Sequence, residues 1–509
     1  MKSVSAYVAK FSTAIRKSTS QQKLVSWLLI FLAIALRMRQ YLFNRSFWGD
    51  EAMLALNIIN RRFIDLFKPL DYFQAAPLGF LYAEKITVKF FGNHDYVLRL
   101  FPLFTGIAAV FVMAWLAQRI FPGWTGLAAL GLFTFSWQLI YFASEVKQYG
   151  CDVLFTLILL SAACLCSGPQ VPRRNWLWLL AAGTLALWMS HPSLFIIIGI
   201  VAVIAITNLR DKKWQNLGWL SFLGLCWGIN FFGIYFLSLR NIAASKMLHN
   251  YWQKAFMPLP PWLDWSWFSR SVEMIFKNFL NIHFVLGLQI LVIGVFSMFR
   301  KNRQTTSLWL IPILAVLLAS GLSKYPFWTR FLLFSLPIFV LFLAAGMETL
   351  HGMITRDFQK TGFLLSALII ILIFWQPVTF SMQKLESPEN KNDIKSVLAY
   401  LHTKQQAQDA IYVHHASKYP FSYYARFYGI QSKKTVIGTT ARESASPLLE
   451  DVNKLAGRSR VWFLFANRYQ SDRFDQKKTM LEYLDRLGHQ INCFSATGAE
   501  LYLYDLSRH

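Results

Sequence analysis

Acidic residues are scarce in this chain. Its 509 residues include 26 Asp and Glu against 51 Lys and Arg, a formal net charge of +25. Charged residues of either sign make up only 15% of the sequence, where a soluble domain carries about 25%. That low charge argues against a purely soluble protein. The 55% hydrophobic content excludes a disordered one, because disorder requires low hydrophobicity. Five cysteines are too few for a disulfide scaffold in a chain of this length, and no pair of them has metal-ligand spacing. Cys164 and Cys166 lie in an apolar run and read as small buried hydrophobes. A Gly-rich phosphate loop, a Gly-x-Ser-x-Gly nucleophile motif and a sustained repeat are also missing.

What is abundant is apolar and aromatic: 45 Phe, 19 Trp and 20 Tyr. A bilayer crossing needs about 20 apolar residues, and roughly eleven runs approach this length. They lie near 24–40, 97–117, 122–141, 150–167, 175–191, 192–209, 216–238, 279–299, 306–322, 327–347 and 361–380. Arg37 and Arg39 interrupt the end of the first run and are expected to snorkel to an interface. No small-residue cleavage site follows that run, so it is read as a span and not as a signal peptide. The expected fold class is an α-helical polytopic membrane protein with a small C-terminal α/β domain outside the cytoplasm.

Orientation is expected from Lys and Arg in the short loops. With the N-terminus inside, the inner segments hold Lys2, Lys10, Arg16, Lys17, Lys23, Arg119, Arg173, Arg174, Arg210, Lys213, Arg300, Arg303, Arg356 and Lys360. The short outer loops hold only Lys147, Lys324 and Arg330. The cations are scattered over many loops, which excludes a nucleic-acid face. This reading places the protein in the cytoplasmic membrane, with its C-terminal domain outside.

The acids then point to one side. Residues 1–380 hold thirteen, of which only Asp211, Glu348 and Asp357 fall inside. Six lie in the outer segment 41–96. An acid at membrane depth is costly and is a functional hypothesis by default, so the outer face is the expected chemical face. In that segment Phe47-Trp48-Gly49-Asp50-Glu51 precedes an amphipathic stretch, Met53 to Phe63. Asp50 is expected to cap a helix lying along the membrane interface. A plain helix cap is the competing reading.

Two further strings stand out. Gln74-Ala75-Ala76-Pro77 opens a second helix, with Glu84 and Lys85 following, and runs to a stop at Gly92. The Glu84–Lys85 pair also fits a simple solvated pair. Ser144-Glu145-Val146-Lys147-Gln148-Tyr149-Gly150-Cys151-Asp152 lies between the third and fourth runs. In a helix it would set Glu145, Tyr149 and Asp152 on one face. Interfacial anchoring is the alternative there.

These three strings, with Arg99-Leu100-Phe101-Pro102, resemble the GT-C superfamily of integral membrane glycosyltransferases. The resemblance is nearest to the bacterial relatives of protein O-mannosyltransferases and of the lipid A aminoarabinose transferase. It covers the first seven spans well and the remainder only in general plan. It implies a sugar donor linked to a polyprenyl phosphate, a glycan, lipid or protein acceptor, and an acid of the first outer loop as catalytic base. Here that acid is Asp50, with Glu51 beside it. Relatives often carry Glu-Lys-Pro-Pro or His-Pro-Pro where this chain has Gln74-Ala75-Ala76-Pro77. The Lys that would hold the donor phosphate is missing at that point. A divalent metal is left open by the resemblance and is not indicated by ligand spacing.

Glycosyl transfer needs a base, alignment of donor and acceptor, and neutralisation of the leaving phosphate. Asp50 and Glu51 are the catalytic candidates. Gln74, Glu84, Glu145, Lys147, Tyr149, Asp152, His191, Arg240, Arg270, Lys324 and Arg330 are the substrate-binding candidates. Each cation taken singly also fits an interfacial anchor, and His191 a satisfied turn histidine. The four tryptophans of 251–268 are expected in the headgroup belt. A direct displacement, with inversion at the sugar, is what the resemblance implies. A transporter or flippase, an oligosaccharide ligase and an envelope scaffold remain as alternatives. The transporter predicts mid-span charges and matching halves, which are not seen.

The domains are expected at 1–383, including the outer loop 41–96, and 384–509. The tail turns soluble in composition, with helices expected at 391–403, 420–428 and 477–488 and strands at 410–414, 461–465 and 501–504. His414 and His415 have no further ligands at metal spacing.

Overall fold

The computed structural model describes residues 19–166, 171–243, 245–430, 435–441, 444–466 and 474–507. The basic residues Lys2, Lys10, Arg16 and Lys17 lie outside them. The chain forms two compact units. One takes the chain up to Leu42, Arg62–Gly92 and Tyr96–Pro388; the other takes Phe43–Arg61, Asn93–Asp95 and Glu389–His509. The division between the units in the C-terminal third of the chain falls between Pro388 and Glu389, where the sequence reading expects 383/384. The segment carrying Asp50, however, groups with the C-terminal unit and not with the helical one.

The first unit is built of apolar helices: α1 (Ser20–Leu42), then, beyond Asp50's helix α2 (Gly49–Asn60) of the other unit, α3 (Leu78–Phe91), α4 (Asp95–Ile120), α5 (Trp124–Thr134), α6 (Trp137–Phe142), α7 (Tyr149–Leu165), α8 (Arg173–Met189), α9 (Ser193–Arg210), α10 (Trp214–Ile234), α11 (Trp265–Met274), α12 (Phe284–Lys301), α13 (Arg303–Gly321) and α14 (Leu336–Glu386). Eight helical segments among the described residues are long and apolar enough to cross a membrane, and α5 and α7 are shorter apolar helices. The expected span 122–141 is broken between α5 and α6 at Phe135 and Ser136.

Two of the eight, Leu333–Phe358 and Thr361–Glu386, are formed by α14 and the short turn before it. Backbone bonding runs on between them, yet His351 Nδ1 lies 2.8 Å from Ser366 Oγ. Fifteen residues of straight helix would put these groups about 22 Å apart. The chain therefore reverses between them. Elsewhere, α12 and α14 approach backbone to backbone. A Cβ on Gly294 would collide with the Phe342 carbonyl, and one on Gly346 with that of Ile290. Close approach at small residues is how helices pack where lipid removes the hydrophobic drive.

Arg37 does not snorkel. It is 1% exposed. Its Nη1 donates to the Ala33 carbonyl at 2.9 Å, and its guanidinium lies over the Phe133 ring.

In the second unit, five strands run β1 (Ala410–Val413), β2 (Thr435–Ile437), β3 (Val461–Ala466), β4 (His489–Ala496) and β5 (Ala499–Asp505), in spatial order β2-β1-β3-β5-β4. β1 pairs in parallel with β2 and β3, with Tyr412 opposite Phe463; β5 is antiparallel to β3 and β4. Helices α15 (Ile394–Lys404), α16 (Lys418–Tyr424), α17 (Ser446–Asn453) and α18 (Gln476–Leu487) complete the unit. Tyr412, Phe463, Leu448, Val452, Met480, Leu484 and Tyr504 share one core. Each large side chain buried there contributes about 1.5–3 kcal/mol. Strands β2 and β4 and helix α17 were not expected from the sequence. β4 is an edge strand whose residues are mostly exposed, so it has little apolar signal.

Candidate functional site

The Asp50 segment belongs to the second unit and differs from expectation in two ways. Helix α2 begins at Gly49, with Trp48 as its N-cap, so Asp50 sits in the first turn and is not the cap. An acid there is favoured by the helix dipole. The apolar face of α2 (Leu54, Ala55, Ile58) is fully buried and packs on α16. That face is covered by protein instead of lying along a lipid interface.

The two adjacent acids have different surroundings. Asp50 is half-buried. Glu51 is 0% exposed, and its Oε2 receives Arg45 Nη1 at 2.6 Å. A buried charge is tolerated when it is paired and hydrogen-bonded. Glu51 is thus committed to Arg45, and Asp50 is the acid of the pair with solvent access.

In the first unit, the string from Ser144 to Asp152 is buried throughout. It is not a set of interfacial anchors. Helix α7 starts only at Tyr149, so Glu145 lies in the preceding turn, and only Tyr149 and Asp152 share a helix face. Lys147 is 5% exposed, and its Nζ donates to Gln74 Oε1 at 2.6 Å. Gln74 in turn donates to the Tyr72 carbonyl. Tyr72 and Phe73, immediately before it, both hold positive φ, 63° and 55°. For non-glycine residues each such conformation costs of order 1–3 kcal/mol and tends to mark functional sites. Here the strain delivers Gln74 to the ammonium of Lys147.

Tyr149 links this group to an aromatic wall. Its ring meets Phe142 at 4.9 Å and Phe331 at 6.3 Å. Phe331 contacts Trp252 and Tyr325. The Arg330 guanidinium lies over the Trp252 ring at 4.9 Å and the Phe331 ring at 5.4 Å. The Tyr325 hydroxyl donates to the Phe331 carbonyl, which closes the loop. Asp152 lies within electrostatic reach of Tyr325 and faces Ser190, one residue before His191 in the turn joining α8 and α9. Gln74, Lys147, Tyr149, Asp152 and Arg330 therefore belong to one polar-aromatic cluster, with His191 at its edge.

Glu84 lies deeper. It is 0% exposed, and neither carboxyl oxygen has a hydrogen-bond partner among the described residues. Burial pushes its carboxyl well above the usual carboxylate range. Arg240 and Lys324 are exposed. Arg270 is exposed too, and pairs with Asp264, the N-cap of its own helix. The structure brings none of these three cations into the cluster.

Of the tryptophans in 251–268, Trp262 and Trp265 are exposed, as a headgroup belt requires, and Trp267 is buried. Trp252 carries Arg330. The sequence predicts the headgroup belt for Trp252, and nothing local in the sequence distinguishes it from its neighbours. The partner of Glu51 was also missed, although Arg45 lies six residues ahead of it. Among the described residues, no group of three or more His, Cys, Asp or Glu side chains is placed to hold a metal ion.

No family model and no curated protein sequence matches the chain. Solved structures do match it in fold. ArnT from Cupriavidus metallidurans bound to undecaprenyl phosphate aligns at 12% identity, with 98% of each chain covered and a TM-score of 0.54. The same protein in the apo state aligns at 11% identity over 98% of each chain, with a TM-score of 0.53. The oligosaccharyltransferase of Archaeoglobus fulgidus, in complex with zinc and sulfate, aligns at 12% identity, with a TM-score of 0.53 over 95% of this chain and 73% of that one. The chain thus shares its fold with these structures: apolar helices long enough to cross a membrane, and a small C-terminal sheet domain.

Proposed function

We propose that this protein is a GT-C-type glycosyltransferase that moves a sugar from a polyprenyl-phosphate donor to an acceptor at the outer face of the cytoplasmic membrane. The observation that carries the reading is the buried Lys147–Gln74 contact beside Tyr149, Asp152 and Arg330, in a fold shared with a protein solved with undecaprenyl phosphate bound. A cation fixed by a strained loop and an aromatic wall suits a lipid phosphate, whose oxygens take charge-assisted hydrogen bonds.

In the reaction, Asp50 accepts the proton of the acceptor hydroxyl. The acceptor oxygen attacks the anomeric carbon, and the carbon–phosphate oxygen bond breaks with inversion. The electron pair leaves on the lipid phosphate, whose charge Lys147 and Arg330 neutralise. Glu51 is given a holding role, because its carboxylate is occupied by Arg45. Loop charge supports an inner N-terminus and an outer C-terminal unit.

The test uses purified protein in detergent, incubated with a panel of polyprenyl-phosphate pentoses and hexoses and with candidate acceptors, with and without EDTA. Release of free lipid phosphate from one donor is expected. Asp50→Asn is expected to lose about 10²–10⁴-fold of that rate while keeping its fold. Full activity in Asp50→Asn would remove it as base. If no donor in the panel is bound or cleaved, the transferase reading gives way to a transporter.

A further inference from the structure

The residues leading into α2 are stitched to the C-terminal part of the second unit at successive positions. The Lys395 ammonium donates to the Asn44 carbonyl. The Lys395 amide donates to Ser46 Oγ at 3.2 Å, and Ser46 Oγ donates to Asp393 Oδ1 at 3.3 Å. The Phe47 amide donates to the Tyr424 hydroxyl at 2.9 Å. The same hydroxyl donates to Asp95 Oδ2 at 2.7 Å, which also receives Lys395 Nζ at 3.1 Å. The Phe47 ring, 0% exposed, packs against Tyr423 at 4.8 Å and Tyr424 at 5.8 Å. Lys391 lies over the Trp48 ring at 4.3 Å. Asp50 follows two residues later, in the first turn of α2.

These contacts meet at one hydroxyl. Tyr424 is 2% exposed and Asp95 8%. Asp95 accepts from both Tyr424 and Lys395, so its charge is compensated inside the protein. With its proton directed at Asp95, the Tyr424 oxygen presents a lone pair to the Phe47 amide. That amide lies two residues ahead of the first residue of the helix. The register of the helix start, and with it the direction of the Asp50 side chain, is thus set from the C-terminal unit.

We propose that Tyr424, oriented by Asp95 and Lys395, is a positioning residue for Asp50. The C-terminal domain then acts in the transfer reaction by holding the first outer segment in its working geometry, and is more than a cover. This inference rests on the assignment of Asp50 as base. A group that must meet a hydroxyl proton within hydrogen-bond reach loses about 10²-fold in rate for a displacement of the order of 1 Å.

The experiment uses the full chain in detergent. Tyr424→Phe removes the hydroxyl and keeps the ring on Phe47. The expected result is a fall in kcat for lipid-phosphate release of about 10–100-fold with donor KM within about twofold, since only transition-state geometry is lost. Amide exchange across 44–52 is expected to quicken while that of β1 and β3 stays the same. Wild-type kcat in Tyr424→Phe, or unchanged exchange in 44–52, would overturn the proposal. If Tyr424→Phe lowers the yield of folded protein, Asp95 carries the test. Asp95→Asn keeps an acceptor and is expected to retain most of the rate, and Asp95→Ala to lose it; equal rates in the two would overturn the proposal. Asp50→Asn is run alongside. An active Asp50→Asn removes the base assignment, whereas an inactive Asp50→Asn with a fully active Tyr424→Phe removes only the positioning role. Exchange in 44–52 reads the contact itself even without a cleavable donor.

Discussion

Arg45 Nη1 and Glu51 Oε2 are 2.6 Å apart, with side chains 2% and 0% exposed. One pair of charges, shut away from water, ties the approach of α2 to its first turn. A buried pair of this kind contributes little against a hydrophobic replacement of both partners, but breaking it is costly. Glu51→Ala is therefore expected to destabilise the second unit by about 3–5 kcal/mol. The double replacement Arg45→Met with Glu51→Leu should recover most of that loss. Denaturant midpoints of the full chain in detergent check both, and equal midpoints for the single and double variants would reject the pairing as the cause.

Lys147→Met removes the ammonium next to Gln74 and leaves a side chain of similar length. Hydrogen bonds to charged groups contribute about 1.5–3 kcal/mol, so kcat/KM for the donor should fall about 10–100-fold. Lys147→Arg should retain more of it. Titrating the donor while following lipid-phosphate release measures the effect. An unchanged kcat/KM in Lys147→Met would take the residue out of phosphate binding.

Glu84 carries a pH prediction. Burial raises its carboxyl in the folded protein, while the unfolded chain ionises in the ordinary range. The stability attached to a raised acid is complete below its unfolded pKa and is lost as pH rises through the folded one. Glu84→Gln should therefore melt above wild type at neutral pH. The two should converge at about pH 4, near the ordinary carboxyl value. A Glu84→Gln variant less stable than wild type at neutral pH would mean that the carboxylate is bound to something in the native protein.

His414 gives the opposite slope. It is 3% exposed, its Nε2 lies 3.0 Å from Gln476 Oε1, and burial lowers its pKa from 6.5 to about 4. The unfolded chain takes up this proton first. Stability is complete above pH 6.5 and is lost as pH falls towards about 4, by an amount on the order of 3 kcal/mol. His414→Asn should flatten that part of the curve. Melting temperatures across this range, compared between wild type and variant, are the check. Parallel curves would show that other groups carry the acid sensitivity.

Much of this molecule was legible in its sequence because the physics behind it is local. Apolar length marks a membrane span, since a helix satisfies its own backbone wherever it crosses lipid. Eight of the expected runs became long apolar helices, and the ends of α3 fell at Pro77 and Gly92 as punctuation required. The strands β1, β3 and β5 were visible as apolar runs, while the exposed edge strand β4 was not. The acid pair at 50–51 and the Ser144–Asp152 string were recognisable from composition, since acids are rare in this chain.

Only tertiary structure separated Asp50 from Glu51. Adjacent residues of one helix point in different directions, and which of them meets Arg45 depends on how the chain bends back before α2. The same holds for Arg37, expected at an interface and found buried over Phe133, and for Trp252, which bears Arg330 while Trp262 and Trp265 face outward. The grouping of residues 43–61 with Glu389–His509 also rests on contacts between segments more than three hundred residues apart, such as Phe47 with Tyr424. Periodicity and composition report the character of a segment. Burial and pairing depend on which distant segment folds against it, and that is a property of the packed chain.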